Sequence, residues 1–243
     1  VGGAVNGNQS ICTNAQPTDL SLTGHTGSVV KWQSATNVDF TGATDIATTA
    51  TTLTSVAIGN LSTTTYFRAV VQNGTCATVN SDFVTVTVNA APTLVITNPA
   101  GITAPATADL TAPAVTAGST SGLTFGYFTD AAGTIAVADA TAVGVGTYYI
   151  VGTSAAGCSS AIASVTVSSS TTIYVAGAWT NGVPNSSLNA IIQDNFTTSS
   201  SLSALTLTVE PGYVITVASG TTLTVENGII NNAGVTGIVV END

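Results

Sequence analysis

Thr65-Tyr-Phe-Arg-Ala-Val-Val-Gln-Asn-Gly-Thr-Cys76 and Thr147-Tyr-Tyr-Ile-Val-Gly-Thr-Ser-Ala-Ala-Gly-Cys158 align without a gap. In each, a Thr-Tyr pair opens an alternating strand and a cysteine closes it. The correspondence continues upstream, where Asp19-Leu-Ser-Leu22 matches Asp109-Leu-Thr111, and downstream, where Val84-Thr-Val-Thr-Val88 matches Ser164-Val-Thr-Val167. Such internal similarity signals tandem modules. The first is read over residues 1–90 and a shorter second over 91–169, both as Ig-like β-sandwiches. The junction Asn89-Ala-Ala-Pro92 is short and stiffened by proline, so the pair is expected to form a semi-rigid rod. Ser168-Ser-Ser-Thr-Thr172 marks the next boundary.

In the first module, short alternating runs at Ile11-Cys12, Asp19–Leu22, Val29–Gln33, Leu53–Ile58, Thr64–Gln72 and Phe83–Val88 are separated by Gly, Asn and Pro turns, the spacing of a sandwich. A period of two in Val29-Val-Lys-Trp-Gln33 turns Trp32 inward and Lys31 and Gln33 outward. Trp32 is the expected core anchor, with Tyr66 and Tyr148 as core residues at equivalent places in the two copies. If the strands of Lys31 and Arg68 are neighbours, the only two cations of the chain share one outer sheet face. Pairing with Asp39, Asp45 or Asp82 is then the plain expectation, and a cationic spot for an acidic sugar or a neighbouring subunit the functional one.

From residue 170 to 243 the grammar changes. Thr206-Leu-Thr-Val-Glu210, Thr222-Leu-Thr-Val-Glu-Asn227 and Gly237-Ile-Val-Val-Glu-Asn242 recur sixteen and then fifteen positions apart, with Val214–Val217 and Ile229-Ile230 between them. That is the pattern of a β-solenoid. It predicts a stacked row of Glu210, Glu226 and Glu241 at one corner, about 4.8 Å apart. A bound cation such as calcium, or a ladder of Asn227 and Asn242, would relieve the repulsion; a solvated row is the simpler reading. Trp179 is expected to cap the first coil. A sequence stopping directly after a strand predicts either further coils or an end that meets another molecule.

Only 6% of the 243 residues are charged, the net charge is −10, and the two basic residues are too few to neutralise phosphates, which argues against nucleic acid and anionic membranes. No apolar run is long enough to insert into a bilayer as a helix. Three cysteines, no methionine and a first residue Val1 point to a processed or excised segment of an exported protein. Cys12 and Cys76, near opposite ends of the first module, are the expected disulfide. Cys158 is expected to be unpaired, because the second module reads Ile102-Thr-Ala-Pro105 at the place of Cys12; pairing with another chain is the alternative.

The first module, through Gly27–Gln33, Ile58-Gly-Asn-Leu61 and Thr64–Cys76, resembles Ig-like repeats of very large secreted surface proteins of Bacteroidota. The second resembles their companion repeat through Pro105–Leu110, Val115–Gly118, Gly146–Ile150 and Gly157-Cys158. That repeat usually carries a cysteine where Thr103 stands. Ala178-Trp-Thr-Asn-Gly-Val-Pro184, followed by Leu205–Val209, is similar to the solenoid that often precedes a type IX secretion sorting domain. The resemblance implies export through the outer membrane, a cell-surface location, and partners that are other copies or other surface proteins. It supplies no site residues.

The function expected is a non-enzymatic structural or adhesive stalk. A self-assembling filament subunit is the nearest alternative, followed by a carbohydrate-binding module using Trp179 or Tyr213 as a stacking face. Catalysis is not expected. His25, the one histidine, lies in the turn Thr23-Gly-His-Thr-Gly27 without an evident partner, and identical stacked glutamates lack the contrast that acid and base roles demand. No cofactor is expected beyond a possible calcium ion.

Overall fold

The computed structural model describes residues 1–241; Asn242, and with it the Asn227–Asn242 ladder, lies outside the described residues. The fold is all-β, sandwich modules followed by a β-solenoid. The chain divides into two compact units. One comprises Val1–Leu94 with Gly118–Gly126 and Val151–Ile162, the other Val95–Ala117, Tyr127–Ile150 and the chain from Ala163 onward.

In the first unit the strands are β1 (Ala4–Asn6), β2 (Gln9–Cys12), β3 (Leu20–Thr23), β4 (Ser28–Ala35), β5 (Thr44–Ile46), β6 (Thr52–Leu53), β7 (Thr65–Gln72), β8 (Val79–Asn80) and β9 (Val84–Asn89). A small sheet, β1-β3-β6, faces a larger one, β2-β9-β7-β4-β5, with β8 paired to β7. Alternation decides what meets between them. Val5, Leu20, Leu22 and Leu53 from the small sheet pack against Val29, Trp32, Phe67, Ala69, Val71, Val84 and Val86 from the large one. Trp32 is fully buried, and its Nε1 donates to the Ala50 carbonyl at 2.9 Å, so the indole enters the core without a stranded donor.

The residue expected to share that core, Tyr66, stands on the other face. In β7 the core between the sheets takes Phe67, Ala69 and Val71, and the period of two sends Tyr66 and Arg68 to the other face, where Val70 is also buried. A second departure is at Leu53–Ile58. Strand β6 stops at Leu53 and Ser55–Ile58 forms a short helix, with Thr54 as its N-cap accepting from the Ala57 amide and Gly59, at φ +75°, ending it.

The second copy is a reduced version. Its sheet is β10 (Thr124–Phe128), β11 (Gly146–Thr153) and β12 (Ala163–Val167), with β11 and β12 antiparallel and Tyr148 opposite Val165. Ile150, Val165, Val167, Leu110, Val115 and Val143 are buried; Tyr148 is half-buried, and its hydroxyl donates to the Gly144 carbonyl. The segment that matches Asp19–Leu22 is a turn here. Asp109 accepts from both the amide and the hydroxyl of Thr111, and Pro113 blocks an extended ladder.

The solenoid has β13 (Thr171–Val175), β14 (Ala178–Trp179), β15 (Asn189–Ile192), β16 (Phe196–Thr197), β17 (Leu202–Val209), β18 (Ile215–Val217), β19 (Leu223–Asn231) and β20 (Ile238–Val240). One sheet runs β14-β13-β15-β17-β19, parallel except for β14, and the other β16-β18-β20. Ala190, Ile192, Leu202, Ala204, Leu207, Val209 and Ile215 fill the space between them. Two buried hydroxyls are satisfied: Thr172 donates to the Gly182 carbonyl, and Thr198 accepts from the Ala218 amide.

The coils are longer than the repeated words suggest. Asn189 stacks on Thr171, Thr206 on Asn189, Gly228 on Thr206 and Ile238 on Ile215. The glutamate row therefore does not form. Glu226 lies inside β19, at the irregularity between the pairs Ala204/Val225 and Thr206/Gly228. Glu210 follows β17 where Asn232 stacks, and Glu241 follows β20 beside the end of β18. Apolar side chains set the stacking, Leu207 on Ala190, Val209 on Ile192 and Ile215 on Ile238, whereas Val-Glu is a strand ending that recurs without stacking.

Trp32→Ala is expected to lower the unfolding free energy by about 3–5 kcal/mol, whereas Glu226→Gln, exposed and outside any row, should stay within about 0.5 kcal/mol. Urea denaturation of the two variants measures both.

Candidate functional site

Three places concentrate unusual chemistry: the cysteines, the outer face of the large sheet, and the start of the solenoid. Cys12 is bonded to Cys158, with Cα atoms 5.5 Å apart and 146 positions of sequence between them, and Cys76 is free and exposed. This overturns both cysteine expectations. Sheet register explains why Cys12 cannot reach Cys76. Cys12 lies beside Asn89 on β9, and β9 runs antiparallel to β7 with Val86 beside Thr65. Cys12 is thus level with the start of β7, while Cys76 follows its far end, roughly 25 Å away at about 3.3 Å per residue. A disulfide requires Cα atoms within about 7 Å.

Cys158 sits in the turn after β11, where the Ser154 amide donates to the Cys158 carbonyl, and it is fully buried. Cys76 closes the turn Asn73–Cys76 by donating its amide to the Asn73 carbonyl, and Gln72 Nε2 donates to its carbonyl. The two cysteines aligned in sequence thus have opposite fates.

On the outer face of β4 and β7, Gln33 stands directly opposite Arg68. Lys31 pairs with Asp45 at 2.6 Å, Gln33 Nε2 donates to the same carboxylate at 2.9 Å, and Arg68 Nε donates to Gln33 Oε1 at 2.8 Å. The Lys31 ammonium, and after it the Gln33 amide, hold the Asp45 carboxyl below the usual carboxylate range. Arg68 takes no carboxylate among the described residues. Its guanidinium lies 4.0 Å from the centroid of Phe40, whose ring meets Phe83, which in turn meets Tyr66. Phe40 is buried at φ +55°, a conformation a bulky residue adopts only when its surroundings enforce it. The contact of Arg68 with Phe40 and Gln33 fills the role expected of Asp39 or Asp82.

At the solenoid start, Tyr174, Trp179 and Phe196 form a triangle with centroids 5.2, 4.6 and 5.3 Å apart. Trp179 is placed by a tight reversal, Ala176 at φ +52° and Gly177 at φ +75°, which folds β14 back so that Trp179 pairs with Tyr174. A cleft of about 320 Å³ opens beside the triangle. Sequence reading picked out Trp179 but not Tyr174, Phe196 or the hydroxyl residues that border them; Tyr174 stacks on Ile192 and Phe196 on Ile215, two different positions of the coil, so no repeated word announces the cluster. Tyr213, the other stacking candidate, packs against the solenoid core.

His25 stays in its turn with its buried Nδ1 unpartnered. No group of three or more His, Cys, Asp or Glu placed to hold a metal occurs among the described residues. Glu210, Glu226 and Glu241, expected as a row, lie at three non-equivalent places.

Residues 1–90 match a family described as a domain of unknown function, DUF8696. No curated protein matches the chain. Among solved structures, the fibronectin(III)-like modules of Clostridium thermocellum CbhA are similar at 14% identity and a TM-score of 0.31, covering 68% of this chain and 94% of that one.

A thiol reagent added to the native protein should label Cys76 alone, and Cys76→Ser should abolish labelling without lowering stability; labelling of Cys12 or Cys158 in the unreduced protein would contradict the pairing. A second expectation concerns pH. The Ile135 amide, then the Thr134 hydroxyl and amide, hold Asp130 below its ordinary value. A depressed native pKa means that the turn is fully stabilised above the unfolded value of 3.8 and loses that stabilisation as pH falls through the lower native one. Amide exchange at Thr134 and Ile135, corrected for its intrinsic pH dependence, should lose protection in that acid range and stay unchanged between neutral pH and about pH 5.

Proposed function

We propose that the chain is an extracellular, non-enzymatic structural segment, a spacer in a cell-surface protein that carries tension. The observation that supports this reading most directly is the bridge from Cys12 to Cys158. It joins the first module to a turn of the second and encloses 146 positions in one covalent loop. Tension entering before Cys12 and leaving after Cys158 crosses one S–S bond instead of the folded residues between. By the chain-entropy argument, closing so long a loop also contributes up to about 5 kcal/mol to stability.

A disulfide fits an oxidising, extracellular compartment. No described helix is long and apolar enough to cross a membrane. The paucity of charge suits short β modules whose stability comes from ladders and thin apolar cores. His25 offers no oriented imidazole and the glutamates no pair, which supports a role without catalysis.

Single-molecule stretching from the two chain ends tests this reading. In the oxidised protein the residues between Cys12 and Cys158 should never extend. After reduction the contour should lengthen by a further 500 Å or so, at about 3.5 Å per residue. An oxidised chain that extends along its whole length, or native material isolated with Cys12 and Cys158 reduced, would overturn the proposal.

A further inference from the structure

We propose that the cleft at the first coil of the solenoid binds a neutral oligosaccharide. Its floor is the triangle of Tyr174, Trp179 and Phe196, each ring half-buried, so that the cluster is anchored yet still presents aromatic surface. Its rim carries the hydroxyls of Thr197, Ser199 and Ser200, all exposed. At about 320 Å³ the cleft falls at the lower end of the size range of small-molecule sites.

Hydrogen-bonding capacity is left open there. Trp32 shows how this fold treats an indole that it buries for structure alone, since its Nε1 is matched to the Ala50 carbonyl. The Trp179 Nε1 and the Tyr174 hydroxyl have no such match among the described residues, and neither do the side chains of Thr197, Ser199 and Ser200. Two features of the cleft therefore point to one ligand chemistry. Aromatic faces pack against the C–H face of a pyranose ring, and unengaged hydroxyl and N–H groups pair with its hydroxyls.

Charge selects within that class. No ionisable Asp, Glu, Lys or Arg lines the cleft, and the chain carries a net charge of −10. An anionic glycan would meet a repelling field with no cation to receive it. A purely apolar ligand would leave the hydroxyl rim unpaired and desolvated. A neutral hexose or pentose polymer meets neither penalty. Binding here is independent of the tension-bearing role: a chain that binds no sugar can still carry force, and one that binds sugar need not.

The two tryptophans make the test direct. Trp32 is fully buried, so acrylamide quenching of the native protein reports on Trp179. Cellohexaose, xylohexaose and mannohexaose are titrated separately, with hexagalacturonate as the anionic counterpart. At least one neutral hexasaccharide should protect Trp179 from quenching with a Kd near about 1 mM. Trp179→Phe, measured by calorimetry, should weaken that binding about tenfold.

Because Trp179 also braces the first coil, the exposed pair Ser199→Val/Ser200→Val serves as the second variant. It should weaken binding about threefold at an unchanged urea midpoint. Protection by none of the neutral sugars at about 20 mM, well above that Kd, overturns the proposal. So do equal or tighter binding of hexagalacturonate, and binding unaffected by both variants.

Discussion

A single covalent bond, from Cys12 on an edge strand to Cys158 in a turn of the second module, constrains more of this protein than any packed contact does. It closes a loop over most of the two modules, and it is buried at its Cys158 end. The sandwich itself is ordinary in its physics. Alternating strands turn Trp32, Phe67 and their neighbours into one layer, and backbone ladders satisfy the rest.

The outer face of the large sheet shows how a chain with two cations uses them. Lys31 is neutralised by Asp45, and Gln33 relays that carboxylate to Arg68, which rests on the Phe40 ring. The arrangement is a connected polar strip beside an aromatic one, so Arg68 contributes through packing as much as through charge. It also holds Phe40 in a backbone conformation that the ring's burial and the cation above it compensate.

In the solenoid, parallel stacking is governed by what must be buried. Leu207 and Val209 stack on the buried Ala190 and Ile192, Ile215 stacks on Ile238, and β19 absorbs its extra residues in an irregularity at Glu226 and Asn227. The first coil is closed differently, by an antiparallel return at Gly177 that seats Trp179 on Tyr174 and Phe196. That return shapes the aromatic-lined cleft of the first coil.

Local alternation was enough to read the all-β class with a solenoid in its C-terminal part and the inward turn of Trp32, because side-chain direction in a strand depends only on parity. The sequence also carried the signals for the Thr54 cap and the Asp109 turn, although both segments looked like strands by composition. Tertiary structure alone decided which elements meet. Cys76 and Cys158 align in sequence, yet sheet register puts Cys76 at the wrong end of β7 and brings Cys158 to Cys12. Glu210, Glu226 and Glu241 share a word but not a coil position, and Tyr174, Trp179 and Phe196, on three different strands and without a common word, meet only because β14 folds back on β13 beside Phe196. Register is a property of pairs of strands, set by buried partners on both, and a repeat read along one strand does not contain it.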